Sequence, residues 1–423
     1  EVTSVVEVEK EVTSVVEVEK EVERVIEPRV IRVTHRTGIE CENWSYFAQK
    51  FNDEHLPDVS VKMECTPGGD YFVKLNTQIA GGTLPDVVWI SSIEGFYRMA
   101  ASGAFAGLDE MVQYHDLDLD VFYPECVEAA RVGGTLYGLP QVAHPGRVGL
   151  FYHKGLFDDA GMDYPDDSWT YDDLVTAASQ LTNLDEGVWG FIPCTDYFCQ
   201  VVYARSWGGD TISEDGTQCT IDSPETVAAL EYLADLFHEY HVAPMPGEES
   251  LGTYQLLAAD KVAMYQSGFW GRDALMQIPD PEILGSAPMP IGPAGVRGSM
   301  FESDPVCIAA NSKLLEESFQ FISTIVSYES QMRYNQETLR STSPRIDVME
   351  SEAAQRDPTF QVFAPIMREA MPLVLPANYR ETEYFKLIGD EFAAVWLGMA
   401  SVTDVIDDIK SGAQEILDKE PLA

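Results

Sequence analysis

Between Arg29 and Gly103 the chain switches three times from a strand-like to a helix-like pattern. Val30-Ile31-Arg32-Val33-Thr34, the alternating Val59-Val61-Met63 and Asp86-Val87-Val88-Trp89-Ile90 read as strands. The third is apolar throughout, as a parallel strand buried on both faces should be. Between and after them, Asn43 to Asn52 places Trp44, Phe47, Ala48 and Phe51 on one helical face. Tyr71 to Ala80 reads as a second helix closed by Gly81-Gly82, and Gly95 to Ala101 as a third ended by Gly103. This β-α-β-α-β-α order predicts an α/β fold around a parallel, doubly wound sheet. Such sheets bind ligands beyond the carboxyl ends of their strands. Those ends carry Thr34-His35-Arg36-Thr37-Gly38 and Ser91-Ser92-Ile93-Glu94.

Further along, Gly133 to Thr182 reads as a strand and tight turn, a bend, a second strand at Leu150-Phe151-Tyr152, and a Pro/Asp-rich loop. A helix follows, with Thr170 as N-cap and Asp173 three residues on, a capping-box variant. Trp189 to Ile192 and Val262 to Tyr265 are further strands, the latter running into Gln266-Ser267-Gly268-Phe269-Trp270. Helices are expected at Tyr197 to Trp207, Pro224 to Tyr240 and Thr253 to Ala259. Val306 to Ala309 is another strand, and from Glu316 the chain is mostly helical. A length of 423 residues exceeds one core, so two lobes are expected. Residues 1–28 hold a tandem EVTSVVEVEK repeat with no second layer to bury against, and read as a low-complexity tether.

The formal net charge of −43 leaves no basic footprint for nucleic acid. One reading of it is solubility in saline surroundings; the plainer and preferred one is an acidic extracellular protein. No apolar stretch reaches membrane-spanning length. The chain starts at Glu1 without Met, so any signal peptide or lipid-anchor segment is expected to have been trimmed. Seven cysteines allow one or two disulfides, with Cys194, Cys199 and Cys219 near enough to supply one. Enzyme signatures are missing. His238-Glu239-Tyr240-His241 has the wrong spacing for two zinc ligands on a helix face, and GxSxG and Walker A patterns do not occur. Asp116-Leu117-Asp118-Leu119-Asp120 lacks the Gly and terminal Glu of a calcium loop. No catalytic residue, metal or cofactor is therefore assigned.

Several segments match a known order. Gly81-Gly82-Thr83-Leu84-Pro85-Asp86-Val87-Val88, Ser102 to Asp109, Leu136-Tyr137-Gly138-Leu139-Pro140 and Phe151 to Gly161 come in sequence. Asp260-Lys261-Val262-Ala263-Met264, Gly268-Phe269-Trp270, Asn311-Ser312-Lys313 and Ser343-Pro344-Arg345 follow. Together they resemble the extracellular solute-binding proteins of bacterial ABC importers, the sugar-binding, maltose-binding-protein-like type. His153 and Asp260 depart from the pattern, which has Asn and Gly there. The resemblance implies a two-lobed periplasmic-binding-protein-like fold (type II), each lobe a mostly parallel sheet flanked by helices. Lobe one would take 29–142 and 303–342, and lobe two 146–299 and 346–423. The hinge crossings would be 143–145, 300–302 and 343–345. It also implies a monomer, lipid-anchored upstream of Glu1, that binds a mono- or oligosaccharide between the lobes and passes it to the permease membrane subunits.

A sugar site needs aromatic faces and planar polar side chains. By resemblance Trp270 lies on the second lobe's cleft wall, and Tyr197 matches a stacking aromatic. Arg36, Ser91, Ser92 and Glu94 are the strand-end candidates of lobe one, with His35 weaker. His144, Arg147, Glu302 and Asp304 lie at crossings, and Arg345 and Tyr379 come from the tail. Arg36, Arg147 and Arg345 together would suit a phosphate or carboxylate. A sugar phosphate, glycerol phosphate or polyol is thus the alternative ligand, and a secreted carbohydrate-active enzyme the competing class.

Overall fold

The computed structural model describes residues 29–247, 251–276, 278, 280–337 and 341–422; the expected tether at 1–28 lies outside them. Among the described residues nine strands build the two main sheets, and a two-stranded ribbon pairs Arg131–Val132 with Thr135–Leu136 apart from them. In chain order the nine are β1 (Arg29–Arg36), β2 (Val59–Thr66), β3 (Val87–Trp89), β4 (Gly138–His144), β5 (Gly149–His153), β6 (Trp189–Ile192), β7 (Val262–Ser267), β8 (Leu284–Pro288) and β9 (Glu302–Ile308). The first sheet has the order β2-β1-β3-β9-β4 and the second β8-β5-β7-β6.

The sheets are more mixed than expected, the second most of all. β1 runs parallel to β2 and β3, and β6 to β7. β9 is antiparallel to β3 and β4, and β5 to β7 and β8. The cause lies in the connections. A strand reached through a crossover helix runs toward the cleft. β5 and β9 begin at the crossings themselves, so they run away from it.

Each sheet has its own apolar core. One joins Val33, Trp44, Phe47, Val88, Phe105 and Leu139 to Ile308, Phe319 and Ile322. The other joins Leu150, Phe191, Tyr203, Leu233 and Met264 to Phe363, Tyr384 and Ile409. Helix Ile39–His55 buries the apolar face expected of it and keeps Glu40 and Glu42 in its first turn, where the helix dipole favours them. Helix Tyr171–Leu181 starts on the expected capping box: Thr170 donates its N–H to Asp173 Oδ2 at 2.8 Å and its hydroxyl accepts the Asp173 N–H at 3.3 Å. The helix expected from Gly95 is only Tyr97–Ala101. Gly95, at φ 102°, breaks it from a wider turn at Ser92–Phe96.

Cys41 bonds to Cys65 and Cys194 to Cys199; Cys126, Cys219 and Cys307 are buried thiols. The two departures from the family pattern meet each other. His153 Nδ1 accepts the Leu156 N–H at 3.2 Å, capping helix Lys154–Ala160, so Nε2 carries the proton and donates to Asp260 at 2.7 Å. Asp260 sits at φ 57°, the left-handed region that suits Gly. Asp260→Ala should therefore cost about 1–2 kcal/mol, losing the bond while keeping the backbone strain. Asp260→Gly should cost under about 0.5 kcal/mol, since relief of that strain offsets the lost bond. Urea unfolding of both variants checks this.

Candidate functional site

The site grows out of the crossings. The chain leaves the first sheet at His144 and turns at Pro145-Gly146, Gly146 at φ 90°, before β5 starts. It returns through β9, whose Glu302 and Ser303 pair with His144 and Ala143. A third segment lies alongside. The Thr342 hydroxyl donates to the Ala143 carbonyl. Gln331 donates to the Gln141 carbonyl at 3.0 Å and accepts from the Ser343 hydroxyl at 2.9 Å. Paired residues of a ladder share a face, so Val142, His144, Glu302 and Asp304 point to the same side.

On that side lies a cavity of about 50 Å³. Arg36, Trp89, Asp304, His144 and Trp270 line it. It is far smaller than the roughly 300–1,000 Å³ of ligand pockets, so the lobes must part to admit a ligand. Trp270 follows β7 in a turn, half-buried, its indole edge-on to His144 at 4.9 Å. The turn requires Gly268: a Cβ there would come within 2.3 Å of the indole. The Arg147 guanidinium lies over the same indole at 5.5 Å and pairs with Asp196 at 2.8 Å. Across the cavity the Arg36 guanidinium lies 4.2 Å over Trp89 and 3.1 Å from Glu40.

The floor is acidic. Ser92 donates its backbone N–H to Asp304 at 2.9 Å, and the Ser91 hydroxyl also bonds it. Glu302 meets His144 Nε2 at 3.1 Å. Burial, with the charge of Asp304 adding to it, holds the Glu302 carboxyl well above the usual carboxylate range. Asp304 is raised too, to about 6, by burial; the bonds from Ser92 and the charge of Arg36 oppose the shift. Glu94 is an exposed residue nearby; partial desolvation pushes its carboxyl up to about 7, Arg36 opposing and Asp304 adding. A raised folded-state pKa means stability held at low pH and lost as pH climbs through that value. Between pH 4 and 6 the ligand-free protein should thus lose the contribution of a protonated Asp304. Asp304→Asn should flatten the fall in melting temperature across that window, read by calorimetry.

Three expected residues fall elsewhere. Tyr197 is 3% exposed, stacked on Phe385 at 4.4 Å with its hydroxyl 2.8 Å from Thr211, because its helix turns that face into the second core. Arg345 pairs with Asp347 at 2.7 Å and lies over Phe122, so it is drawn away from Arg36 and Arg147. Tyr379 packs half-buried on the first core from a loop of the second lobe and does not line the cavity. The weaker His35 is also core, stacked on Trp89 at 5.0 Å. Thr253, Tyr254, Gln255 and Gln266 escaped the sequence reading, yet line a groove of about 460 Å³ at the ends of β6 and β7. Gln266 stands near the end of β7, just before the turn to Trp270, the one signal that pointed there.

Two α/β lobes with aromatic and charged side chains facing across a closed gap define a two-lobed ligand-binding protein. The sequence agrees: residues 42–332 match the family described as bacterial extracellular solute-binding protein, and the chain belongs to that family. A binding protein of Brucella abortus is 24% identical over 290 residues, 66% of this chain and 67% of that one. The GacH receptor of Streptomyces glaucescens, solved unliganded and with acarbose, is 25% identical with a TM-score of 0.82, covering 93% of this chain and 99% of that one. Maltose-bound MalE3 of T. maritima is 25% identical with a TM-score of 0.76, covering 92% and 99%. Among the described residues no helix is long and apolar enough to cross a membrane.

Proposed function

We propose that this protein is the substrate-binding component of an ABC importer and that its ligand is a carbohydrate held between the lobes. The observation that carries the reading is Trp270, an indole face on one lobe set opposite hydrogen-bonding side chains of the crossings and the other lobe. Trp270 stacks on the sugar ring. Asp304, Glu302, Glu94 and Arg36 take its hydroxyls, with Ser91 and Ser92 orienting Asp304. The acarbose and maltose bound by two structural relatives support the ligand class. Residues 29–142 and 303–342 move as one lobe, 146–299 and 346–423 as the other, and closure presents the liganded form to the permease membrane subunits. The protein works as a monomer outside the cytoplasm and turns over no substrate.

The phosphate alternative loses ground. Arg36 and Arg147 already pair with Glu40 and Asp196, Arg345 lies elsewhere, and the floor is acidic. A thermal-shift screen with mono- and oligosaccharides, sugar phosphates, polyols and polyamines tests the reading, because a ligand stabilises the state it binds. Shifts confined to neutral sugars are expected. A screen in which no sugar shifts the transition would sink the assignment, and cleaved ligand in mass spectra would sink the absence of turnover.

A further inference from the structure

We infer that the Cys194–Cys199 bridge and Gln266 form a clamp that positions Arg147 on the face of Trp270. Arg147 sits where the first crossing enters the second lobe, one residue after Gly146. Both of its ends connect to the Cys194–Cys199 loop, the guanidinium directly and the carbonyl through Gln266 of β7. At one end the Arg147 carbonyl accepts the Gln266 side-chain N–H at 2.8 Å, while Gln266 Oε1 accepts the Cys194 N–H at 3.3 Å. At the other end the guanidinium pairs with Asp196 Oδ2 at 2.8 Å. Asp196 is itself fixed, because its Oδ1 caps helix Tyr197–Ser206 by accepting the Cys199 N–H at 3.1 Å. The disulfide joins Cys194 to Cys199 and so closes the loop that carries both attachments. The chain of contacts returns on itself: Arg147, Gln266, Cys194, Cys199, Asp196, Arg147.

The arrangement answers a physical need. Arg147 has a long, rotamer-rich side chain at a point where the backbone must flex for the lobes to part. A cation over an indole is useful to a ligand only if it stays in register with it. Anchoring both the carbonyl and the guanidinium to the wall of the second lobe makes Arg147 move with Trp270 rather than with the first lobe. Gln266 and the two cysteines are thus positioning residues, acting through Arg147. The inference rests on the cleft reading above for its purpose, but not for its test.

The test reads Trp270 without any ligand, in the full chain. Its emission is isolated as the difference between each protein and the same protein carrying Trp270→Phe. Cys194→Ser/Cys199→Ser and, separately, Gln266→Leu with the bridge intact should raise acrylamide quenching of Trp270 and red-shift its emission. Cys41→Ser/Cys65→Ser removes the other bridge, in the first lobe, and should leave Trp270 unchanged. Quenching that stays the same in both clamp variants, or that moves equally in the first-lobe control, would overturn the inference. Maltose titrated into the same proteins should bind about tenfold more weakly to the clamp variants, since a charged group no longer held in place forfeits a contact of hydrogen-bond strength. If neither maltose nor any other sugar binds the unmutated protein, the carbohydrate reading fails while the quenching data still decide the clamp.

Discussion

Trp270→Ala should weaken sugar binding by about 30-fold or more, since a desolvated aromatic anchor is worth about 2 kcal/mol or more and each 1.4 kcal/mol is tenfold. The loss falls on binding rather than folding for a structural reason. Trp270 is half-buried at the cavity edge, outside both cores, and touches His144 and Arg147. Removing it opens the cleft wall without excavating a core. Tyr197→Phe provides the contrast. That ring is packed on Phe385, and the change deletes only its bond to Thr211, so about 1 kcal/mol of stability is lost and sugar affinity is kept. Isothermal titration with the sugar that gives the largest thermal shift reads both. Unchanged affinity in Trp270→Ala would remove the stacking role.

The same two aromatics show what a sequence can and cannot disclose. Trp270 was legible because a strand, a Gly-flanked turn and an aromatic stood together, and Gly268 turns out to be required by the indole itself. Tyr197 falls elsewhere because its helix is buried nearly all round, polar Gln200, Arg205 and Ser206 included, so its periodicity gives no face away. The first lobe was readable strand by strand, since parallel strands buried on both faces advertise themselves as apolar runs. Strand β9 was placed only from Val306, although it starts at Glu302. Its first residues are acidic, and nothing local says that a carboxylate pair will be buried in a ladder. The direction of β5 and β9 was illegible too, because it depends on which lobe the chain arrives from. The pairing of His153 with Asp260 shows the reverse case. Two departures from a family pattern, each unexplained alone, account for one another once they are 2.7 Å apart.

Arg205 carries the largest expected effect on stability, and no sequence pattern marked it. Its side chain is 5% exposed. Nε pairs with Asp210 at 2.8 Å, Nη1 donates to the Ser299 and Met371 carbonyls at 2.7 and 3.2 Å, and Nη2 to Pro372 at 3.0 Å. Those carbonyls belong to the second crossing and to the segment beside it, where Phe301 and Met371 share a 2.6 Å backbone bond. One planar guanidinium therefore ties helix Tyr197–Ser206 to the strand that brings Glu302 and Asp304 to the floor of the cleft. Arg205→Met keeps most of the volume but leaves the Ser299 and Pro372 carbonyls without a donor and Asp210 without its cation, while Met371 keeps the Phe301 N–H. Breaking a buried pair in this way costs about 3–5 kcal/mol. At roughly 2–4 °C per kcal/mol for a unit of this size, the second lobe should melt on the order of 10 °C lower. Arg205→Lys should recover little, since an ammonium is a single point of charge and cannot span four acceptors in one plane. Calorimetry that resolves the two lobes checks both, and a melting temperature within a degree or two of the unmutated protein would show that the crossing holds without Arg205. If the fall appears, sugar affinity should fall with it, because the carboxylates of the floor are placed by the segment that Arg205 secures.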